Sequence, residues 1–472
     1  MKGGGSVQIR KKFFGDKRFY SRVVALAVPI IIQNGITTFV SLLDNIMVGR
    51  LGTESMSGVS IVNQFIFIFN LLIYGAISGA GIFCVQYHGT NDQKGIRHTF
   101  RFKILINVFL TALSIAAFAF FNEELISSFL FDNDSGGDLA LTLSYGKDYL
   151  TIMLIGLMPY AISQVYASTL RETEHAVVPM IASVVAVFTN FALNYVFIFG
   201  KLGFEPMGVR GAAIATVIAR FTELLILVIW SHRNTEKCQY FKGAFKSFSI
   251  PIDLVRKMFL KALPLMANEF FWSISITLRS QCYATRGIEV VAAQNICSTI
   301  FNVFSVVYMS FGTVISIMVG GLLGQGRFEE AKDTNRKVLV CSVFCGITLG
   351  TLLTLSSGLF PELYNTDTEV KALAAYMMII CGIYMPFYAF NNSSYFTIRS
   401  GGSVGITVLM DSGFMCLFML PVSFAFSRLT NIDIFALFAI CQGAEALKTT
   451  ISFAMLMKSS WTKRLVGDSR QE

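Results

Sequence analysis

Residues 23–48 read VVALAVPIIIQNGITTFVSLLDNIMV. The stretch lacks Lys, Arg, Glu and His and is long enough to cross a bilayer as a helix, which takes about 20 residues. It also carries Pro29, Gln33, Thr37, Ser41 and Asp44. A carboxylate at a helix centre costs roughly 2.5–3.5 kcal/mol on insertion scales, so Asp44 should face a polar interior and have a use. Gln33, Thr37, Ser41 and Asp44 follow one another at i, i+4, i+8 and i+11, which puts them on one helical face. That face predicts a wet cavity ending in the carboxylate. The competing reading places Asp44 at the helix end, where it meets surface water.

The rest of the chain reads the same way. Of 472 residues, 54% are apolar and 14% charged, whereas soluble domains carry about 25% charged residues. The mean hydropathy is +0.61. These values exclude a soluble multidomain enzyme and a disordered chain. Runs of about 20 apolar residues predict twelve spans: 23–48, 57–86, 104–122, 149–170, 176–199, 211–230, 258–278, 290–322, 338–360, 372–397, 404–427 and 434–457. The basic start, with Lys2, Arg10, Lys11, Lys12, Lys17, Arg18 and Arg22, runs into the first span without an A-x-A exit. It therefore reads as a retained span rather than a secretory leader.

With the N-terminus cytoplasmic, the inner segments hold 28 of the 38 Lys and Arg and the outer loops hold 8. Arg220 and Lys448 fall within spans. By the positive-inside rule this predicts a multi-pass cell-membrane protein with both termini cytoplasmic. The loop with Glu123, Glu124, Asp132, Asp134 and Asp138 falls outside. The net charge of +9 is thereby an orientation signal, and no nucleic-acid partner is implied.

The chain repeats. Ala-Val-Pro29 corresponds to Ala-Leu-Pro264, Tyr-Gly75 and Gly89 to Phe-Gly312 and Gly326, and Tyr149…Met158-Pro159…Leu170-Arg171 to Tyr376…Met385-Pro386…Ile398-Arg399. The expected fold is all-α and membrane-embedded, with twelve transmembrane helices in two six-helix lobes related by a pseudo-twofold axis along the membrane normal. The expected organisation is an N-terminal lobe over 1–235, a cytoplasmic linker over 236–257 and a C-terminal lobe over 258–472. Cargo and ion sites are expected between or inside the bundles.

The run Ala-Val-Pro29…Leu-Leu-Asp44-Asn-Ile-Met-Val-Gly-Arg-Leu-Gly52 resembles a multidrug and toxin extrusion (MATE) transporter of bacterial type. So do Asn190-Phe-Ala-Leu-Asn194, Gly208-Val-Arg-Gly-Ala-Ala-Ile-Ala-Thr216, Ala-Leu-Pro264…Asn268-Glu269, Val319-Gly-Gly-Leu-Leu-Gly324-Gln-Gly326 and Arg399-Ser-Gly-Gly…Asp411. The resemblance covers nearly all of residues 20–460. It implies a membrane antiporter that exports amphiphilic, often cationic compounds against an inward flow of H+ or Na+. No cofactor is implied, and the expected partners are a small-molecule cargo and the bilayer, with the chain acting as a monomer. It also implies that Asp44, fifteen residues after Pro29, binds the coupling cation, and that Thr216 adds an oxygen. Some relatives carry an acid where Asn194 stands.

Asn190 and Asn194 lie one turn apart, and their side-chain carbonyls are hard oxygen ligands of the kind Na+ takes. Paired Asn residues also hold helices together. The coupling-cation set is thus Asp44, Asn190, Asn194 and Thr216, with no metal site beyond a Na+ at Asp44, Asn190 and Asn194. The cavity set is Gln33, Thr37, Ser41, Glu269, Ser273 and Thr277, since Glu269, Ser273 and Thr277 repeat the spacing of the first span. Glu269 is equally read as a structural partner of Asn391 or Asn392. Pro29 is the expected hinge. Arg220 with Glu223, and Glu445 with Lys448, are i, i+3 pairs expected to neutralise each other, and Asp411 is expected to pair near Arg399 or Arg171. No catalytic constellation is present, so the chain is not read as an enzyme. A lipid-linked saccharide flippase of the same superfamily is the alternative function.

Overall fold

The computed structural model describes residues 13–128, 138–364 and 366–467, apart from the side chains of 40–42, 45, 46 and 288. Lys2, Arg10, Lys11, Lys12, Asp132, Asp134 and the side chain of Ser41 lie outside the described residues. The described chain is helical without a strand.

The long helices are α1 (Lys17–Gly49), α2 (Thr53–Gly89), α3 (Gln93–Phe120), α5 (Leu139–Glu172), α6 (Val177–Phe199), α7 (Gly208–Arg233), α8 (Ile252–Ala284), α9 (Ile288–Gly324), α10 (Phe328–Leu355), α11 (Thr368–Ser400), α12 (Val404–Arg428) and α13 (Ile434–Met457). A short α4 (Asn122–Ser127) precedes α5. Eleven of the twelve have the length and composition to cross a membrane. The exception is α8, 33 residues long, whose apolar run is interrupted by Lys261, Glu269 and Arg279. Its span 258–278 completes the twelve, and the chain is an all-α integral membrane protein.

Local chemistry sets the helix ends. Asp16, Asp138 and Asp433 accept from the amides of Phe19, Leu141 and Ala436 at 2.8, 3.0 and 2.8 Å, which satisfies N–H groups that no helix carbonyl reaches. Gly200 closes α6 in the left-handed conformation. Pro29, Pro159, Pro264 and Pro386 lie inside helices, each removing one backbone hydrogen bond. In α12, Leu409–Gly413 and Met415–Met419 form wide π-helical turns, a form often found at functional sites.

The chain packs into two compact units. One holds Ile32–Cys84 and Gln93–Met266; the other holds the chain up to Ile31, the segment Val85–Asp92 and everything from Ala267 on. Three helices therefore change unit, α2 among them after Cys84. α1 does so after Ile31, two residues past Pro29, and α8 after Met266, two residues past Pro264.

The core of the first unit includes Val62, Phe65, Ile126, Leu150, Met153 and Val209. There α2 meets the first half of α8 so closely that a Cβ at Gly75 would stand 2.7 Å from the Met266 backbone. The segment after α7 is gripped by the same unit. The Arg101 guanidinium donates to the carbonyls of Ala244, Gly243 and Ser249 at 2.7, 3.0 and 3.2 Å. Burial pushes the Tyr240 phenol above its ordinary pKa, so it stays neutral beside Thr173 Oγ1 at 2.8 Å. In the second unit one core gathers Tyr283, Met377, Met385 and Phe438. Another joins Val23, Leu26 and Ala27 of α1 to Phe311, Val319, Ile398 and Trp461.

Candidate functional site

In the first unit, α1, α6 and α7 converge on Asp44. Asn194 Nδ2 donates to Asp44 Oδ1 at 2.7 Å. The Asn190 amide end stands 2.9 Å from both carboxylate oxygens. Asn190 and Asn194 are 6% and 2% exposed, as their one-turn spacing on a face turned into the unit requires.

The Asn190 amide has two ways to sit. With nitrogen toward Asp44 it donates to both carboxylate oxygens, and its oxygen accepts from Thr216 at 3.2 Å. With oxygen toward Asp44 it accepts from Asn194 at 3.2 Å, and its nitrogen donates to Thr216 Oγ1 at 3.2 Å. The first arrangement suits a bare carboxylate. The second turns an oxygen toward the carboxylate and suits a protonated carboxyl or a bound cation. Asn194 Oδ1 is buried and has no partner among the described residues. No salt bridge among the described residues involves Asp44. A half-buried carboxylate surrounded by amides and a hydroxyl, with an unused oxygen beside it, has the donor set of a site for H+ or a hard monovalent cation.

The cavity residues are placed as follows. Gln33 is buried, and both ends of its amide are engaged: Arg171 Nη1 donates to its oxygen at 3.2 Å, and its nitrogen donates to Ser183 Oγ at 2.8 Å. Thr37 donates back to the Gln33 carbonyl at 2.8 Å. In the second unit Glu269 is half-buried, with Asn268, Asp411 and Arg399 as its polar and charged neighbours. Thr277 is exposed and donates to the Ser273 carbonyl at 3.1 Å. Thus Asp44, Asn190, Asn194 and Thr216 come together, while Gln33 joins a different network.

Three expected pairings are corrected. Glu223 accepts from Ser183 Oγ at 2.6 Å, while the Arg220 guanidinium lies 5.0 Å over the Tyr160 ring. Lys448 pairs with Asp411 at 3.0 Å rather than with Glu445, which accepts from Asn391 at 3.0 Å. Asp411 in turn accepts from Asn268 at 3.0 Å, and Asn391 donates to Glu445 rather than to Glu269. For the two i, i+3 pairs the reason is the same. The i, i+3 spacing gives only a weak surface attraction, and a buried charge is better served by a partner on a facing helix. Ser183 and Asn268 escaped the sequence reading. Ser183 had a signal: it precedes Asn190 by seven and Asn194 by eleven residues, on the same face of α6.

The sequence profile of the MatE family matches residues 29–196 and 264–425. A probable multidrug resistance protein NorM of Thermotoga maritima is 25% identical over 94% of this chain and 93% of its own length. Its namesake in Haemophilus ducreyi is 25% identical over 77% of each chain. Among solved structures, a MATE chain described as in the straight conformation superposes with a TM-score of 0.85 at 17% identity, covering 98% of this chain and 99% of its own. The outward-facing form of a multidrug resistance MATE family transporter gives 0.83 at 17%, covering 95% and 98%.

Proposed function

The chain belongs to the MatE family, and from that premise we propose that it is a secondary active exporter. It drives amphiphilic, often cationic compounds out of the cell by antiport with H+ or Na+. The observation that carries this reading is the Asp44 carboxylate, held by Asn190 and Asn194 with no cationic partner among the described residues. A carboxylate on a spanning helix with no resident counter-charge is costly to leave ionised and bare, so it favours whichever small cation the gradient supplies. The names of the relatives from Thermotoga maritima and Haemophilus ducreyi support multidrug cargo.

Asp44, Asn190, Asn194 and Thr216 form the coupling site. Cation arrival turns the Asn190 amide from donor to acceptor, and departure turns it back. Pro29 is the hinge of α1: its ring nitrogen cannot bond the Ala25 carbonyl, and α1 changes unit two residues later. Loading Asp44 would alter how α1 packs beyond the hinge and release cargo outward. Glu269, Ser273 and Thr277, with Thr37 and Ser41, are assigned to the cargo path. The lobes follow the order 1–235 and 258–472, joined by a cytoplasmic linker over 236–257, with both termini in the cytoplasm of a monomeric membrane protein.

The test is dye efflux from proteoliposomes under an imposed proton or sodium gradient. Wild type should respond to one of the two gradients. Asp44→Asn efflux at wild-type rates under the gradient that drives wild type would sink the proposal.

A further inference from the structure

Four helices of the first unit share a polar chain that the coupling site does not use. Arg171 of α5 donates to the Gln33 oxygen of α1 at 3.2 Å, the Gln33 nitrogen donates to Ser183 of α6 at 2.8 Å, and Ser183 donates to Glu223 of α7 at 2.6 Å. Every donor is fixed. The guanidinium can only donate, which sets the Gln33 amide; the Gln33 nitrogen then claims a lone pair of Ser183, whose single proton is left for the carboxylate. The chain thus runs one way from cation to anion, and Gln33 and Ser183 are each 7% exposed.

Its position on α1 matters. Gln33 stands four residues, about one turn, beyond Pro29 and eleven residues, roughly 16 Å, before Asp44. It is also the second residue of α1 to belong to the first unit. A helix that must bend at its proline spreads the bend upward unless something holds the next turn.

We propose that Gln33 is that hold. Through Ser183–Glu223 and Arg171 it fastens α1 to the first unit, confines bending to the Pro29 turn and keeps Asp44 aligned with Asn190 and Asn194. Gln33 and Ser183 are positioning residues, acting on the cation through Asp44. This inference rests on the reading of Asp44 as the coupling site.

The experiment uses the full-length transporter. Gln33→Met and Ser183→Ala break the chain, while Ser183→Thr keeps the hydroxyl. In proteoliposomes the cation concentration giving half-maximal efflux should rise about tenfold in Gln33→Met and Ser183→Ala, the size of effect seen when the support of a ligating group is lost. Ser183→Thr should stay near wild type. Spin labels at the exposed positions 39 of α1 and 188 of α6 report alignment within the unit. Their distance distribution should be narrow in wild type and Ser183→Thr, and broad in the two broken variants. An unchanged half-saturation, or an unchanged distribution, in folded Gln33→Met or Ser183→Ala overturns the proposal. Asp44→Asn separates the two readings: if it couples normally, the site assignment fails. If it is inactive while the clamp variants behave as wild type, only the clamp fails.

Discussion

Asp44 in the first unit and Asp411 in the second are both half-buried acids on spanning helices, and each accepts a hydrogen bond from an asparagine, Asn194 at 2.7 Å and Asn268 at 3.0 Å. They differ in their other partners, and Asp44 has the Asn190 amide 2.9 Å away. Asp411 also holds Lys448 at 3.0 Å, whereas no salt bridge among the described residues reaches Asp44. At the position equivalent to Asp44 in the sequence repeat, the second half carries Arg279. Asp411 thus has a lysine beside it, while Asp44 has amides and no salt-bridge partner among the described residues. A duplicated scaffold can divide labour in this way without changing its helices. On the proposed reading, the counter-charge is covalent in one copy and exchangeable in the other.

The largest expected effect comes from removing the exchangeable site. Asp44→Asn should lower gradient-driven efflux to that of protein-free liposomes while leaving the folded yield unchanged. Lys448→Met should come next, since it strands Asp411 with only its amide partner. Losing one member of a buried ion pair costs about 3–5 kcal/mol, so thermal unfolding in detergent should move sharply down. The comparison also makes a sharper demand: Lys448→Met adds a second carboxylate without a cation to the one at Asp44, so its melting temperature should rise more steeply with added Na+ or with acidification than that of wild type. A melting temperature indifferent to both ions would break the contrast.

Asn194→Ala removes one charge-directed hydrogen bond from Asp44 and should raise the half-saturating cation concentration about tenfold. Folding should survive, because Asn190 remains within 2.9 Å. The smallest effect is expected from Arg327→Ala, which breaks the exposed pair with Glu330. Surface pairs contribute about 0–1 kcal/mol, so no shift in melting should be resolved, which would confine the comparison to buried charge.

The fold was legible because lipid imposes a coarse rule: about 20 apolar residues per crossing, with Pro29 and Pro264, and Pro159 and Pro386, marking the duplication. The shared face of Asn190 and Asn194 was legible from helical spacing, and the grouping with Asp44 and Thr216 was implied by the MATE resemblance. The partners of Glu223, Asp411 and Lys448 were not, because pairing across helices depends on how each helix is rotated against its neighbours. Wide turns at Leu409–Gly413 shift that rotation around Asp411, and no local pattern announces them. Gln33 misled for a related reason. A shared face from Gln33 to Asp44 does not give a shared environment, because the two stand roughly 16 Å apart along α1: Gln33 meets Arg171 and Ser183, while Asp44 meets Asn190 and Asn194.

The crossing of α1 has a consequence for biogenesis. Val23, Leu26 and Ala27 share a core with Trp461, so α1 cannot finish packing until a segment more than 400 residues later has been made. At roughly 5–20 residues per second, the first third of α1 waits roughly 20–90 s with part of its core-facing surface uncovered. Nascent chains stalled before Trp461 should therefore be more protease-sensitive in α1 than chains stalled after it.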